Sequence, residues 1–241
     1  MVRMQPAQIR HARLIGATVA ISLTASAPAD ARDINFVPEI DTFVRMSETT
    51  RLYFEGQVTT AQSSGVSQTE LGAHVDVTLS PILRRSLRED DWERDRYLWT
   101  RFGYEIFGSP DNEGRGPTEK RVIAEMTGQA PLSLTSDIWL TSRLRVDFRD
   151  IGGALSKRYR YRLGIQQEIT LSNGKSLVPY IQCEILYDTR YDSWNRRIYQ
   201  AGVEIKMTHR WRIEPYYSRQ FDSRSASSNV DKFGLQVKLY W

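Results

Sequence analysis

Moving a proton at neutral pH is work for histidine before any other side chain, and the 241 residues contain three. His11 stands among Arg3, Arg10 and Arg13 near the start of the chain. His209 sits beside Arg210 in a short polar stretch, where a solvated turn residue is the plain reading. His74 is two residues from Asp76, a spacing that puts both on one face of a strand, and it is the sole reasonable base. No serine is tied to it by spacing, so the sequence does not assemble a nucleophile, base and acid. The chain is therefore expected to be no enzyme, with a lipid-modifying hydrolase kept as the alternative. A single cysteine, Cys183, makes neither an intramolecular disulfide nor a thiolate metal site, and no glycine loop suited to phosphate occurs. No metal and no cofactor are expected.

Charge is what the sequence has in quantity. Its bases include Arg101, Arg121, Arg143, Arg145, Arg158, Arg160, Arg162 and Arg212; its acids include Glu105, Glu125, Asp147, Glu168, Glu184, Glu204 and Glu214. These residues recur at every second position. Tyr159, Tyr161, Leu163, Ile165 and Ile169 alternate with Arg158, Arg160, Arg162, Gln166 and Glu168, and Leu144, Val146 and Phe148 alternate with Arg145, Asp147 and Arg149. Successive side chains of a strand point to opposite faces, so each segment has one apolar and one ionic face.

Eleven segments alternate in this way, each about ten residues long, the length a tilted strand needs to cross an outer membrane. Short connections around 46–50, 130–136, 171–175 and 207–210 alternate with longer polar ones around 62–69, 108–118, 150–156, 188–196 and 221–231, as in transmembrane barrels. The charged segment 81–95 falls on the short side and reads as an enlarged turn. Because single-chain bacterial barrels have even strand numbers, twelve strands are expected, with ten as the alternative; a hidden first strand near 32–37 would supply the twelfth. The fold class is all-β, an antiparallel up-and-down transmembrane barrel.

Before the first segment come the basic start, an apolar stretch from Leu14 to Leu23, and small residues at Ala25, Ala27, Ala29 and Ala31. That is the anatomy of a secretory signal peptide over residues 1–31, followed by one barrel domain over 32–241. Removing residues 1–31 halves the formal net charge of +4, so the basic balance points to no nucleic-acid partner. An exported soluble sandwich would alternate too. Against it stand the density of Arg and Glu on the polar face, aromatics near strand ends (Tyr159, Tyr187, Tyr199, Trp211, Trp241), and the terminus. There Lys232, Gly234, Val237, Leu239 and Trp241 form the polar, glycine, hydrophobic, hydrophobic, aromatic pattern that outer-membrane assembly machinery reads.

The run Arg158-Tyr159-Arg160-Tyr161-Arg162, then Val178-Pro179-Tyr180 through Tyr187-Asp188-Thr189-Arg190, Asn195-Arg196-Arg197 leading to Ala201-Gly202-Val203, and Glu214-Pro215-Tyr216-Tyr217 with Gln220 resemble an outer-membrane β-barrel family known as domain of unknown function 2490. The resemblance implies a membrane barrel and supplies no catalytic residues. The expected location is the outer membrane of a Gram-negative bacterium, the expected partners its lipid, lipopolysaccharide and barrel assembly machinery, and the expected state a monomer. Loop residues Arg190, Arg196, Arg197 and Arg224 are candidate grips for lipid phosphate, and Asp188, Asp192, Asp222 and Asp231 are read as solvated loop acids. Inside, the charges are expected to pair across a small lumen, as an ionic plug or the lining of a narrow small-solute pore.

Overall fold

The computed structural model describes residues 33–61, 65–79, 97–108, 118–132, 137–172, 174–223 and 229–241. The expected signal peptide, the 81–95 segment and Arg224 lie outside them. Every regular element among the described residues is a strand: β1 (Asp33–Arg45), β2 (Thr50–Ala61), β3 (Gly65–Thr78), β4 (Leu98–Gly108), β5 (Glu119–Pro131), β6 (Ile138–Ile151), β7 (Ala154–Gln167), β8 (Ile169–Thr170), β9 (Ser176–Asp188), β10 (Ser193–Lys206), β11 (Trp211–Asp222) and β12 (Asn229–Tyr240).

Each strand pairs antiparallel with its neighbour in the chain, apart from β8, a two-residue element bonded to β9 alone. It continues β7 along β9 in the same register, after a break at Glu168. Twelve strands are present among the described residues, as expected, and eleven of them form the closed wall. In a meander of odd number the first and last strands run the same way. The ring accordingly closes through a parallel pair, β1 on β12, from Asp33 opposite Val230 to Phe43 opposite Tyr240. The antiparallel rule inferred from the sequence thus fails at this one seam. Among the described residues no separate strand precedes β1, which itself begins at Asp33 in the stretch where a hidden first strand is expected.

Three connections expected to be long are short, because the strands run on; β2 ends at Ala61 and β3 begins at Gly65. β6 and β7 meet at Gly152 and Gly153, whose positive φ values of 60° and 88° suit a two-residue hairpin that follows the twist of its strands. β9 reaches Asp188 and β10 starts at Ser193, so the turn between them is 189–192, with Asp192 at a φ of 50°.

Burial is inverted relative to a soluble sheet. Phe36, Ile40, Leu71, Phe102, Val122, Leu144, Ile181 and Phe233 point outward, each at least 50% exposed. Inside, Asp76, Glu105, Asp147 and Asp188 are 0% exposed. The core of this protein is its ionic lumen, and its large apolar side chains form the outer wall.

Candidate functional site

Alternation along each strand delivers its polar set to the lumen, and the cross-strand register decides which charges meet. Arg145 on β6 lies across from Glu105 on β4 and grips both its oxygens at 2.7 Å, while its Nε donates to Asp147 at 2.5 Å. Asp76 on β3 takes Arg51 at 2.7 Å from β2 and Arg101 at 2.6 Å from β4. Glu184 on β9 receives three guanidiniums, Arg143 at 3.0 Å, Arg162 at 2.5 Å, and Arg160. Asp188 takes Arg149 at 2.6 Å and Arg158 at 2.9 Å. Glu204 takes Arg212 and Lys238, both at 2.8 Å, and Lys238 also reaches Glu214 at 2.6 Å. Glu168, at the break between β7 and β8, accepts from Lys206 at 3.3 Å. Charge-assisted contacts of this kind stabilise both partners only because each leaves few unmet hydrogen-bonding groups in the low-dielectric interior.

Every lumen residue singled out in the sequence is thus inside, and all but Glu125 have an oppositely charged group within 3.3 Å. Arg143 stands 3.6 Å from Glu125, whose Oε1 accepts from Thr127. Three residues expected in loops are also inside. Asp188 is the buried acceptor just described, and Arg196 donates to Asp222 at 2.6 Å. Strands longer than the sequence suggests draw these residues into the wall. Of the terminal pattern, Lys232 and Gly234 fall on the lumen side, Val237 and Leu239 on the outer side, and Trp241 is 66% exposed at the end of β12.

His74 and Asp76 share a face, as their spacing requires, but not a hydrogen bond. Asp76 is engaged by two arginines, and His74 Nε2 contacts Glu55 at 3.1 Å with its ring stacked on Tyr53. Alternation did not single out Phe43, Trp99, Phe107, Ile123 and Leu186, apolar residues that are buried on the lumen side. Phe107 carries Arg121 over its ring at 3.5 Å, and Phe43 carries Arg51 at 4.3 Å. An aromatic residue at the ionic parity of a strand, diagonal to an arginine on the next strand, is the signal that would find Phe43 and Phe107.

Between the walls lies a cavity of about 530 Å³, lined by groups from Glu39 and Glu70 on one side to Arg143 and Arg162 on the other. Glu55, His74 and Glu105 bring one ligand atom each within 4.8 Å of one another, yet Glu105 is already held by Arg145 at both oxygens. A metal would have to displace that guanidinium. The set does not favour one.

Residues 44–231 match the model of a family described as Protein of unknown function (DUF2490). The chain belongs to this family. The matched span holds β2 to β11 complete, with Asp76, Glu105, Glu184 and their arginine partners. Most of β1 and β12, which make the parallel seam, lies beyond it. A search of the curated proteins gives no match.

Proposed function

We propose that the protein is an integral outer-membrane barrel, exported by a signal sequence over residues 1–31, whose charged lumen acts as an ionic plug. One observation carries this reading: large apolar side chains cover the outer wall while carboxylates at 0% exposure line the inside. In water such an outer wall would associate or collapse; against lipid chains it is at rest. The expected pairing across the lumen is instead pairing along its wall: the ion pairs, above all three guanidiniums on Glu184, join neighbouring and next-neighbour strands and fill space that an open pore would leave to water. The partners are then outer-membrane lipid, lipopolysaccharide and the machinery that reads the C-terminal strand, and no catalysis is assigned.

A second reading, a narrow pore for small solutes, is favoured by the cavity of about 530 Å³. Planar-bilayer recording of the purified protein separates the two. Silence at low salt is expected of the plug, and regular single-channel steps would replace it with the pore. Location is tested apart from conduction. A folded form that dissolves as a compact monomer without detergent, with gel mobility unchanged by heating, would overturn the membrane reading.

A further inference from the structure

The lumen's charges nearly balance in number but not in place. Glu39 and Asp41 stand on β1, Glu55 on β2 and Glu70 on β3. The amide of Gln236 donates to Glu39 at 2.6 Å and to Asp41 at 2.5 Å. The Tyr53 hydroxyl lies 2.5 Å from Glu55 and 3.1 Å from Asp41, and His74 is at 3.1 Å from Glu55. Among the described residues, no lysine or arginine is within ion-pair distance of these four carboxylates. Around the ring, β1 to β3 are separated from β6 and β7 by β4 and β5 one way and by β9 to β12 the other, so the two groups face each other. On β6 and β7, Arg143, Arg160 and Arg162 converge on the one carboxylate of Glu184, and the buried Nε of Arg143 has no hydrogen-bond acceptor. Glu125 and Asp147 approach this group only to 3.6 and 3.8 Å.

Both walls line the same cavity of about 530 Å³. Clustered carboxylates in a low-dielectric site attract a cation, and guanidiniums with spare donors attract a carboxylate or other anion. A solute with one charge answers one wall and is repelled by the other. We propose that the cavity is a binding site for a small zwitterion, its ammonium against Glu39, Glu55 and Glu70 and its carboxylate against Arg143, Arg160 and Arg162. Such a ligand meets both walls without changing the net charge of the lumen, which is electrostatic complementarity used for selectivity. The proposal rests on the charged lumen; it is independent of whether the lumen conducts.

The test is calorimetric titration of the full-length protein in detergent micelles, its fold checked by unheated gel mobility. The probes are ω-amino acids from glycine to 6-aminohexanoate, with alkylamines and alkanoates of the same lengths, and Mg²⁺ and Ca²⁺. One amino-acid length is expected to bind at least tenfold more tightly than the matching amine or carboxylate. Glu70→Gln, at a side chain with no hydrogen bond among the described residues, is expected to weaken the amino acid and the amine tenfold and leave the carboxylate unchanged; Arg162→Gln should do the converse. Amine or divalent cation binding as tightly as every amino acid would make the acid wall a cation site and overturn the proposal. So would folded protein that binds no amino acid at all.

Discussion

Phe43 and Tyr240 lie opposite each other across the parallel pair that closes the barrel, with ring centroids 4.9 Å apart and planes 14° from parallel. The stack does not end there. Tyr53 stacks on Phe43 at 4.8 Å and His74 on Tyr53 at 4.8 Å, with Arg212 over Tyr240 at 4.4 Å at one end of the row and Arg101 over Tyr53 at 4.1 Å within it. Parallel ladders carry slanted hydrogen bonds and are slightly less stable per residue than antiparallel ones, so the backbone of this seam contributes less per residue than that of the other joins. Ring stacking across it adds side-chain contact to that ladder.

Phe43→Ala therefore opens the seam. Truncating a buried phenylalanine costs about 3–5 kcal/mol, and here the stacking on two rings goes with it. Urea unfolding in micelles is expected to move to clearly lower concentration, with a smaller shift for Phe102→Ala, whose ring is 56% exposed on the outer wall. Equal midpoints for the two variants would show that the rings do not brace the closure.

Gly234 belongs to the terminal pattern that suggests recognition by assembly machinery, but its position on β12 has a local demand of its own. A Cβ there would come within 2.0 Å of the Tyr216 ring. Gly234→Ala is expected to slow or prevent folding into micelles with no assembly factor present, and Tyr216→Ala to restore it in the double variant. Normal micelle folding of Gly234→Ala, combined with failure to assemble in cells, would assign the glycine to recognition alone.

The alternation made most of this architecture legible. The eleven segments it marks are the eleven strands of the ring, and the inward set from Arg101 to Glu214 is the lumen network. What stayed hidden has physical causes. Strand parity says which face a residue takes but not which strand neighbours which, so the parallel closure of a ring of eleven strands is not legible in it. Asp188, Arg196 and Asp222 look like loop residues because polar sequence near a turn and polar sequence facing a charged lumen are the same in composition. Phe43 and Phe107 are apolar at ionic parity, and their reason for being there, the guanidinium laid over each ring, is visible only in three dimensions.

Glu184 is the acceptor on which the arginine wall depends. It is 1% exposed and neutralises part of the charge of Arg143, Arg160 and Arg162. Glu184→Gln keeps the shape and removes the charge, leaving three guanidiniums to repel one another in a confined space. Breaking a buried pair in this way costs about 3–5 kcal/mol. The variant is expected to lose its compact gel mobility at a lower temperature than wild type, with partial recovery in high salt or phosphate as anions replace the lost carboxylate. Arg162→Gln, which removes one of three donors, should lose less. A Glu184→Gln barrel as heat-resistant as wild type would mean that the arginines are screened by water rather than by this carboxylate.

Leu144 faces outward from the middle of β6, 50% exposed, with Arg143 and Arg145 on either side pointing to the lumen. Its response to charge separates lipid from water as the outer solvent. On a wall bathed by water, Leu144→Arg would change stability by no more than about 0.5 kcal/mol, the usual scale for an exposed substitution. On a wall bathed by lipid chains, an arginine near the bilayer midplane costs about 2–4 kcal/mol. Reversible urea titration of the protein folded into phospholipid vesicles measures the difference directly. The larger loss is expected, and it should shrink for a substitution such as Trp241→Arg at the end of β12, where a membrane-spanning wall would bring the side chain to the interface. A Leu144→Arg variant indistinguishable from wild type in vesicles would remove the membrane from this account of the barrel.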